Sequence, residues 1–248
     1  MTTFKHAGRM GDVFYSLFWA TRAAHFEPFH LVLQTGVSAW DPSGRPHMME
    51  EADAAFMRPL LEAQEYIGGV SVVRKGEPLP TGCIELDAFR RNMSSVIRKE
   101  IRSWYYLHGP VFPGEWERKV LSAPEKYDRT EKIAISFTPR YRQSYALDVL
   151  KKFREDLVFV GLPDEWRSFC SLYFPVEYHP VTDALDLLQF LQSCRGFVGN
   201  VSGVFALAEC AKVRRILCVA EDGGNVRVFG DGFEARTPSE LETFINQL

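Results

Sequence analysis

The sequence predicts an α/β protein built from two consecutive doubly wound halves. Three observations carry this. Strand-like apolar runs alternate with helical runs twice along the 248 residues, the pattern that builds parallel sheets covered by helices. The alternation lapses once, in a proline- and charge-rich stretch over residues 110–130. Glycine-containing turns stand where strands give way to helices in both halves.

The elements follow in order. "TFKHA" opens as a strand and "GDVFYSLFWATRAAHF" as a helix, with Val13, Leu17 and Ala20 at helical spacing and Phe14 and Phe18 beside them. "FHLVLQT" is a strand, and "MMEEADAAFMRPLLEAQEY" a helix bent at Pro59. "GVSVVRK" and "GCIELDAF" are short strands closed by glycine and proline signals. "SSVIRKEIRSWYYLHG" is a serine-capped helix that ends at Gly109. Residues 110–130 read as an ordered, packed linker rather than a flexible one. The alternation then restarts with the strand "KIAISFT", the helix "SYALDVLKKFRED" and the buried strand "LVFVGL". "PDEWRSFCSLYF" is a helix opened by Pro163, and "DALDLLQFLQSC" an amphipathic helix. "GFVGN" is a strand, "SGVFALAECAK" a helix and "RRILCVA" a strand. "TPSELETFINQL" closes the chain as a helix capped by Thr237 with Pro238 behind it. The halves divide as residues 1–128 and 129–248. A cleft between them would gather the loops at the carboxyl ends of both sets of strands.

Composition bounds the function. Hydrophobic residues make up 46% and aromatics 13%, enough for a sizeable core. Lys and Arg total 29 against 32 Asp and Glu, a net charge of -3, which gives no global reason to bind nucleic acid or an anionic membrane. The N-terminus reads as lacking a signal peptide, and no apolar run approaches the ~18 residues of a spanning helix. The cysteines, Cys83, Cys170, Cys194, Cys210 and Cys218, are odd in number and form no C-x-x-C. Reduced thiols in a cytoplasmic protein are expected. The histidines, His6, His25, His30, His47, His108 and His179, show no metal-ligand spacing, so no metal site is expected.

Four loops after strands carry candidate chemistry. In "HAGRMGDV", Asp12 falls in the first turn of its helix, where it either charges the helix start or serves as a general base. The G-x-x-G spacing of Gly8 and Gly11 is not a dinucleotide fingerprint, and His6 is the one histidine on such a loop. In "SFTPRYRQ", Thr138, Arg140 and Arg142 suit phosphate, or form a solvated loop. In "FVGLPDEW", Gly161 precedes Glu165, an acid placed to hold a ribose diol or to cap its helix. In "FVGNVSGVFALAEC", Gly199, Asn200, Ser202 and Gly203 open an apolar helix whose N-terminus suits phosphate, with Glu209 further along.

Together these loops resemble the heptosyltransferase-like glycosyltransferases, glycosyltransferase family 9 and its small relatives. The family's G-x-x-G-D turn is matched by Gly8, Gly11 and Asp12, and its second-domain G-(N/V)-x-(S/T)-G turn by "GNVSGVFALAEC". "TPRYR" and "GLPDE" match segments of small relatives. The resemblance spans both halves in the correct order. It implies a GT-B fold, two Rossmann-like domains facing across a cleft, and a metal-independent, inverting transfer from a nucleotide-sugar donor to an acceptor hydroxyl without a cofactor. Asp12 would be the base, with His6, Gly8 and Gly11 at the acceptor. Thr138, Arg140, Arg142, Gly199, Asn200, Ser202, Gly203 and Glu209 would serve the donor, and Glu165 its ribose. The chain departs from the family at Val201, where an acid is common, and at Phe205 and Leu207, near the usual position of a histidine.

The acceptor reads as a glycan or as a hydroxymethylated DNA base, the acceptor of certain viral glycosyltransferases. The basic, aromatic stretch with Arg90, Arg91, Arg98, Lys99, Arg102, Trp104, Tyr105 and Tyr106 motivates the DNA reading; a solvated helix face is its plain alternative. Two rival functions share the architecture: a non-catalytic nucleotide-sugar-binding or scaffold module, and a nucleotide-sugar epimerase.

Overall fold

The computed structural model describes residues 1–38, 47–92, 100–105, 113–141, 143, 145–220 and 225–248. Two parallel sheets organise them. The first holds β1 (Thr3–His6), β2 (Phe29–Thr35), β3 (Ile67–Arg74) and β4 (Ile84–Glu85), in the order β3-β2-β1-β4. The second holds β5 (Ile133–Ser136), β6 (Leu157–Phe159), β7 (Glu177–Tyr178), β8 (Gly196–Gly199), β9 (Arg215–Cys218) and β10 (Phe233–Ala235). Its order is β10-β9-β8-β5-β6-β7. In both sheets the strand order reverses beside the first strand, between β1 and β4 and between β5 and β8. Such reversals open a crevice at the carboxyl ends of the strands, where ligands of α/β folds bind.

The helices are α1 (Met10–Ala23), α2 (Glu51–Glu62), α3 (Ile101–Tyr105), α4 (Pro163–Leu172), α5 (Ala184–Ser193), α6 (Gly203–Cys210) and α7 (Pro238–Ile245). Side-chain alternation in the second sheet assigns them to layers. Ile133, Ile135, Leu157, Phe159, Val198 and Ile216 face one core, shared with Phe169 of α4 and with Leu241 and Ile245 of α7. Ala134, Val158, Phe197 and Leu217 point the other way, onto α5 and α6. This second face belongs to one large core that continues into the first half through Phe4, Phe29 and Leu31 and the apolar residues of α1 and α2.

α1 and α6 are the centre of that core. Every residue from Val13 to Thr21 is buried, and so is every residue from Val204 to Cys210. A helix that is buried all round sits between layers rather than on a surface. α1 packs along α6, and α2 along α5. Along these pairs the helices of the two halves are in direct apolar contact. In the first half, all apolar residues buried by α1, α2 and α3 join this shared core. Helices on both faces are therefore seen in the second half, while the first half turns its described helices toward its neighbour.

The linker reading agrees with the structure. Trp116, Val120 and Leu121 are buried. The Trp116 ring lies tilted against Phe18 at 4.7 Å and reaches Phe229 of the second half at 5.5 Å. Other expectations need correction. "SYALDVLKKFRED" forms a 3₁₀ helix over Asp148–Asp156: Leu147 and Leu150 are buried and Phe153 packs against the same core, an apolar row at every third residue, which is the period of a 3₁₀ rather than an α-helix. "GCIELDAF" pairs for two residues and then becomes a 3₁₀ turn, Ala88–Asn92, because Asp87 turns inward. The helix expected over 94–109 is described as α3 only, with 93–99 and 106–112 outside the described residues. β7 and β10 are too short to show a period-2 pattern. All five cysteines are free thiols. Among the described residues, no helix is long and apolar enough to cross a membrane.

One shared core predicts one unfolding event. Tryptophan fluorescence and far-ultraviolet circular dichroism should give coincident urea transitions; two separated transitions would show that the halves fold independently. Gly11→Leu drives a side chain into Ala206 of α6 and should cost roughly 1–3 kcal/mol of the whole protein's stability.

Candidate functional site

The two crevices are brought together by the approach of α1 to α6. A Cβ on Gly11 would stand 3.4 Å from the Ala206 Cβ and 3.9 Å from both the Gly203 Cα and the Ser202 carbonyl oxygen. From the other side, a Cβ on Gly203 would run into the Met10 side chain. The glycines are thus spent on close helix packing. Their effect is to set the N-termini of α1 and α6 side by side, with Gly11, the residue before Asp12, against Ser202 and Gly203. Both termini carry N–H groups that have no partner within the helix ladder, and the positive end of a helix dipole.

The first crevice is lined by charge. Asp12 accepts from the Arg9 N–H at 3.2 Å and pairs with the Arg90 guanidinium, both through Oδ2. The Tyr105 hydroxyl donates to the Asp12 carbonyl at 2.7 Å. Behind them, Asp87 reaches across from the end of β4, accepting from the Ala7 N–H at 3.2 Å and pairing with Lys5 at 2.9 Å. Burial opposes the Asp87 charge, but His6, Lys5 and Arg90 outweigh it and hold the carboxyl below its ordinary range. The His6 ring is fully buried. Burial lowers its pKa to about 4, against the opposing pull of Asp87 and Asp12. Its Nδ1 accepts from the Gly8 N–H at 2.8 Å, so the neutral ring carries its proton on Nε2, which has no partner among the described residues.

The second crevice is lined by backbone. Asn200 is buried and spends its amide on the loop after β5: Oδ1 accepts from the Thr138 N–H at 3.0 Å, and Nδ2 donates to the carbonyls of Thr138 and Tyr141, each at 2.7 Å. It holds the loop in place rather than presenting its amide to a ligand. Gly199 lets β8 lie close to β5, since a Cβ there would be 2.6 Å from the Ser136 carbonyl oxygen. Ser202 caps α6, accepting from the Phe205 N–H at 3.1 Å. The Thr138 hydroxyl accepts from the Arg140 N–H at 3.4 Å, and the Arg140 guanidinium lies 4.9 Å from the Tyr141 ring. Glu165 sits in the first turn of α4 and accepts from the Leu162 N–H at 3.3 Å. Gly161, at φ +130°, brings Glu165 and Ser136 together: a Cβ there would be 3.2 Å from both the Glu165 Oε2 and the Ser136 Oγ.

One candidate falls elsewhere. Glu209 lies at the far end of α6, about 9 Å along the axis from Gly203. It is fully buried, paired with Arg215 at 2.5 Å and with Lys212. It neutralises a buried arginine at the amino ends of the strands and is not brought to the loops. Arg142 lies outside the described residues. The basic, aromatic stretch also reads differently. Trp104 and Tyr105 are buried in the core, so neither ring is free to stack on a base, while Arg90 turns to Asp12 and Arg91 pairs with Glu85. Arg98, Lys99 and Tyr106 lie outside the described residues, as does the Arg102 side chain. Asp87 and Tyr105 were missed as site residues. The available signal for Asp87 was an acid directly after a short strand that itself needed tertiary pairing to be recognised.

No family model and no curated protein matches this chain. Among solved structures it is similar to the E. coli heptosyltransferase WaaC with ADP-2-deoxy-2-fluoro heptose, at a TM-score of 0.59 and 11% identity, covering 100% of this chain and 99% of that one. It is also similar to a glycosyl transferase family 9 protein from Veillonella parvula, at a TM-score of 0.50 and 12% identity, covering 99% of this chain and 89% of that one. At these identities the likeness is one of fold, and it agrees with the α/β architecture of parallel sheets expected from the sequence.

Two stability measurements check the site's anatomy. His6 titrates at about 4 when folded against 6.5 in the open chain, so the unfolded state binds the extra proton between those values. Its contribution is complete above pH 6.5 and is lost as pH falls toward 4, about 3 kcal/mol in all. Urea unfolding at pH 7 and pH 5 should show this slope, and His6→Gln should reduce it, leaving a residue from His179, whose pKa burial also lowers. Asn200→Ala strands three backbone groups of the loop after β5. It should cost roughly 1–3 kcal/mol and speed hydrogen exchange at the Thr138 amide; unchanged exchange would mean that Asn200 does not hold the loop.

Proposed function

We propose that this protein is a glycosyltransferase that moves a sugar from a nucleotide-sugar donor to an acceptor hydroxyl. One observation carries the reading: the N-termini of α1 and α6 come together, with Gly11, the residue before Asp12, against the phosphate-suited helix start at Ser202–Gly203. The donor lies on the second half. Its diphosphate takes the N-terminus of α6 and the loop carrying Thr138, Arg140 and Arg142, with Glu165 at the ribose. The acceptor lies on the first half, against Gly8, Gly11 and His6.

The chemistry is a single displacement that inverts the anomeric carbon. Asp12 accepts the proton of the acceptor hydroxyl through Oδ1, the oxygen that accepts no hydrogen bond among the described residues. The acceptor oxygen forms its bond to the anomeric carbon as the bond from that carbon to the diphosphate breaks. The nucleoside diphosphate departs with the electron pair. Preorganised N–H groups at the start of α6 and the Arg140 guanidinium meet the charge that develops there, so that no metal ion is called on. A glycan acceptor is favoured over a DNA base, because Trp104 and Tyr105, two of the rings that motivated the DNA reading, lie in the core.

A panel of nucleotides and nucleotide sugars tests this by thermal stabilisation, since a ligand that binds only the folded state raises the melting temperature by mass action. One nucleoside diphosphate and its sugar should stabilise the protein, and Arg140→Ala should remove most of the shift. Asp12→Asn should keep the shift and lose transfer by roughly 100-fold or more. Donor binding without turnover by the wild type would favour the non-catalytic module, and conversion of the sugar with no acceptor would favour the epimerase.

A further inference from the structure

We infer that Arg90 is a positioning residue, one that fixes which oxygen of Asp12 faces the acceptor. The inference rests on the reading of Asp12 as the base. Among the described residues, the hydrogen bonds to the Asp12 carboxylate, from Arg90 and from the Arg9 N–H, both fall on Oδ2, which leaves Oδ1 as the oxygen available to an acceptor. A carboxylate torsion is broad and roughly two-fold on its own. A guanidinium locked on one oxygen makes the two oxygens inequivalent. The pair is mostly sheltered, with the side chains 20% and 17% exposed, so salt screens it weakly.

Arg90 is itself held. It comes from the turn after β4, on the far side of the crevice from Asp12 in sequence. The Phe89 ring lies 5.2 Å from its guanidinium carbon, and Nη1 faces the Met48 sulfur at 3.9 Å. Its route to Asp12 passes over Gly8. A Cβ on Gly8 would lie 2.7 Å from the Arg90 Nη2 and would also run into the His6 ring. The first glycine of the opening motif thus keeps clear the path by which Arg90 reaches the base. That is a different task from admitting an acceptor, and it ties Gly8, His6, Asp12 and Arg90 into one unit. A lysine cannot reproduce the planar fork, so Arg90→Lys keeps the charge and loses part of the orientation.

Two readouts test the inference. The first is a crystal structure of Arg90→Ala, which needs no activity: Asp12 should leave its single orientation and occupy two. An Asp12 carboxylate unmoved in that variant overturns the inference. The second is release of nucleoside diphosphate from ADP-glucose and from UDP-glucose, with water as the acceptor. Arg90→Ala should lower kcat roughly 10- to 100-fold with the donor KM changed by no more than about twofold. Arg90→Lys should recover part of the loss, and Gly8→Ala should behave as Arg90→Ala does. An unchanged kcat, or a KM that rises in step with the loss, also overturns the inference. Failure of the underlying reading looks different: the wild type releases neither nucleotide, or Asp12→Asn releases it at the wild-type rate.

Discussion

The close crossing of α1 and α6 is the constraint on which the rest of the structure depends. Each helix leaves the carboxyl end of a central strand and is buried on all sides. Neither sheet alone could cover such a helix, so each needs the other half as its second wall. Small residues at the contact, Gly11 against Gly203 and Ala206, let the two backbones approach at their N-terminal ends. The apolar demand of the core and the placement of the site are therefore one geometric fact. Burying the two helices against each other carries the two crevices to the same place.

Charge is arranged around this apolar centre in two separate groups. At the carboxyl ends of the first sheet, Lys5, Asp87, His6, Asp12 and Arg90 form a partly sheltered set in which each carboxylate meets a cation or a backbone N–H. At the far end of α6, Glu209 meets Arg215 and Lys212, and Arg215 also donates to the Phe229 carbonyl at 2.6 Å. A buried ion pair is weak evidence of stability by itself, because desolvation offsets much of the attraction. Their placement separates them. The Glu209 group closes the amino ends of the strands, away from the crevices, whereas the Asp12 group borders the crevice itself. The same residue types thus divide into a structural set at the far end of α6 and a candidate chemical set at the start of α1.

The linker joins these layers. Trp116 lies among Tyr15, Phe18, Tyr105 and Phe229, drawn from both halves and from α3. Tyr105 in turn donates to the Asp12 carbonyl. The start of α1 is therefore held by side chains that themselves belong to the core, which gives the carboxylate a rigid base rather than a loop to stand on.

The sequence by itself determined the alternation of strands and helices, the restart after residue 130 and the four loops at strand ends. These are local matters of period, capping and turn chemistry, written in neighbouring residues. It also supplied Asp12, Thr138, Arg140, Glu165 and Ser202 as residues on those loops. What those residues do was decided only in three dimensions. Asn200 reads as a ligand contact until the loop after β5 folds over it. Glu209 reads as part of the same motif until helical rise carries it to the opposite end of α6. Arg90 reads as one of a run of surface cations until β4 pairs beside β1 and turns it onto Asp12. Gly8, Gly11 and Gly203 read as room for a ligand, and packing assigns them to the Arg90 path and the helix crossing. In each case the missing information was a contact between residues far apart in the chain, and no local pattern encodes which distant side chain will arrive.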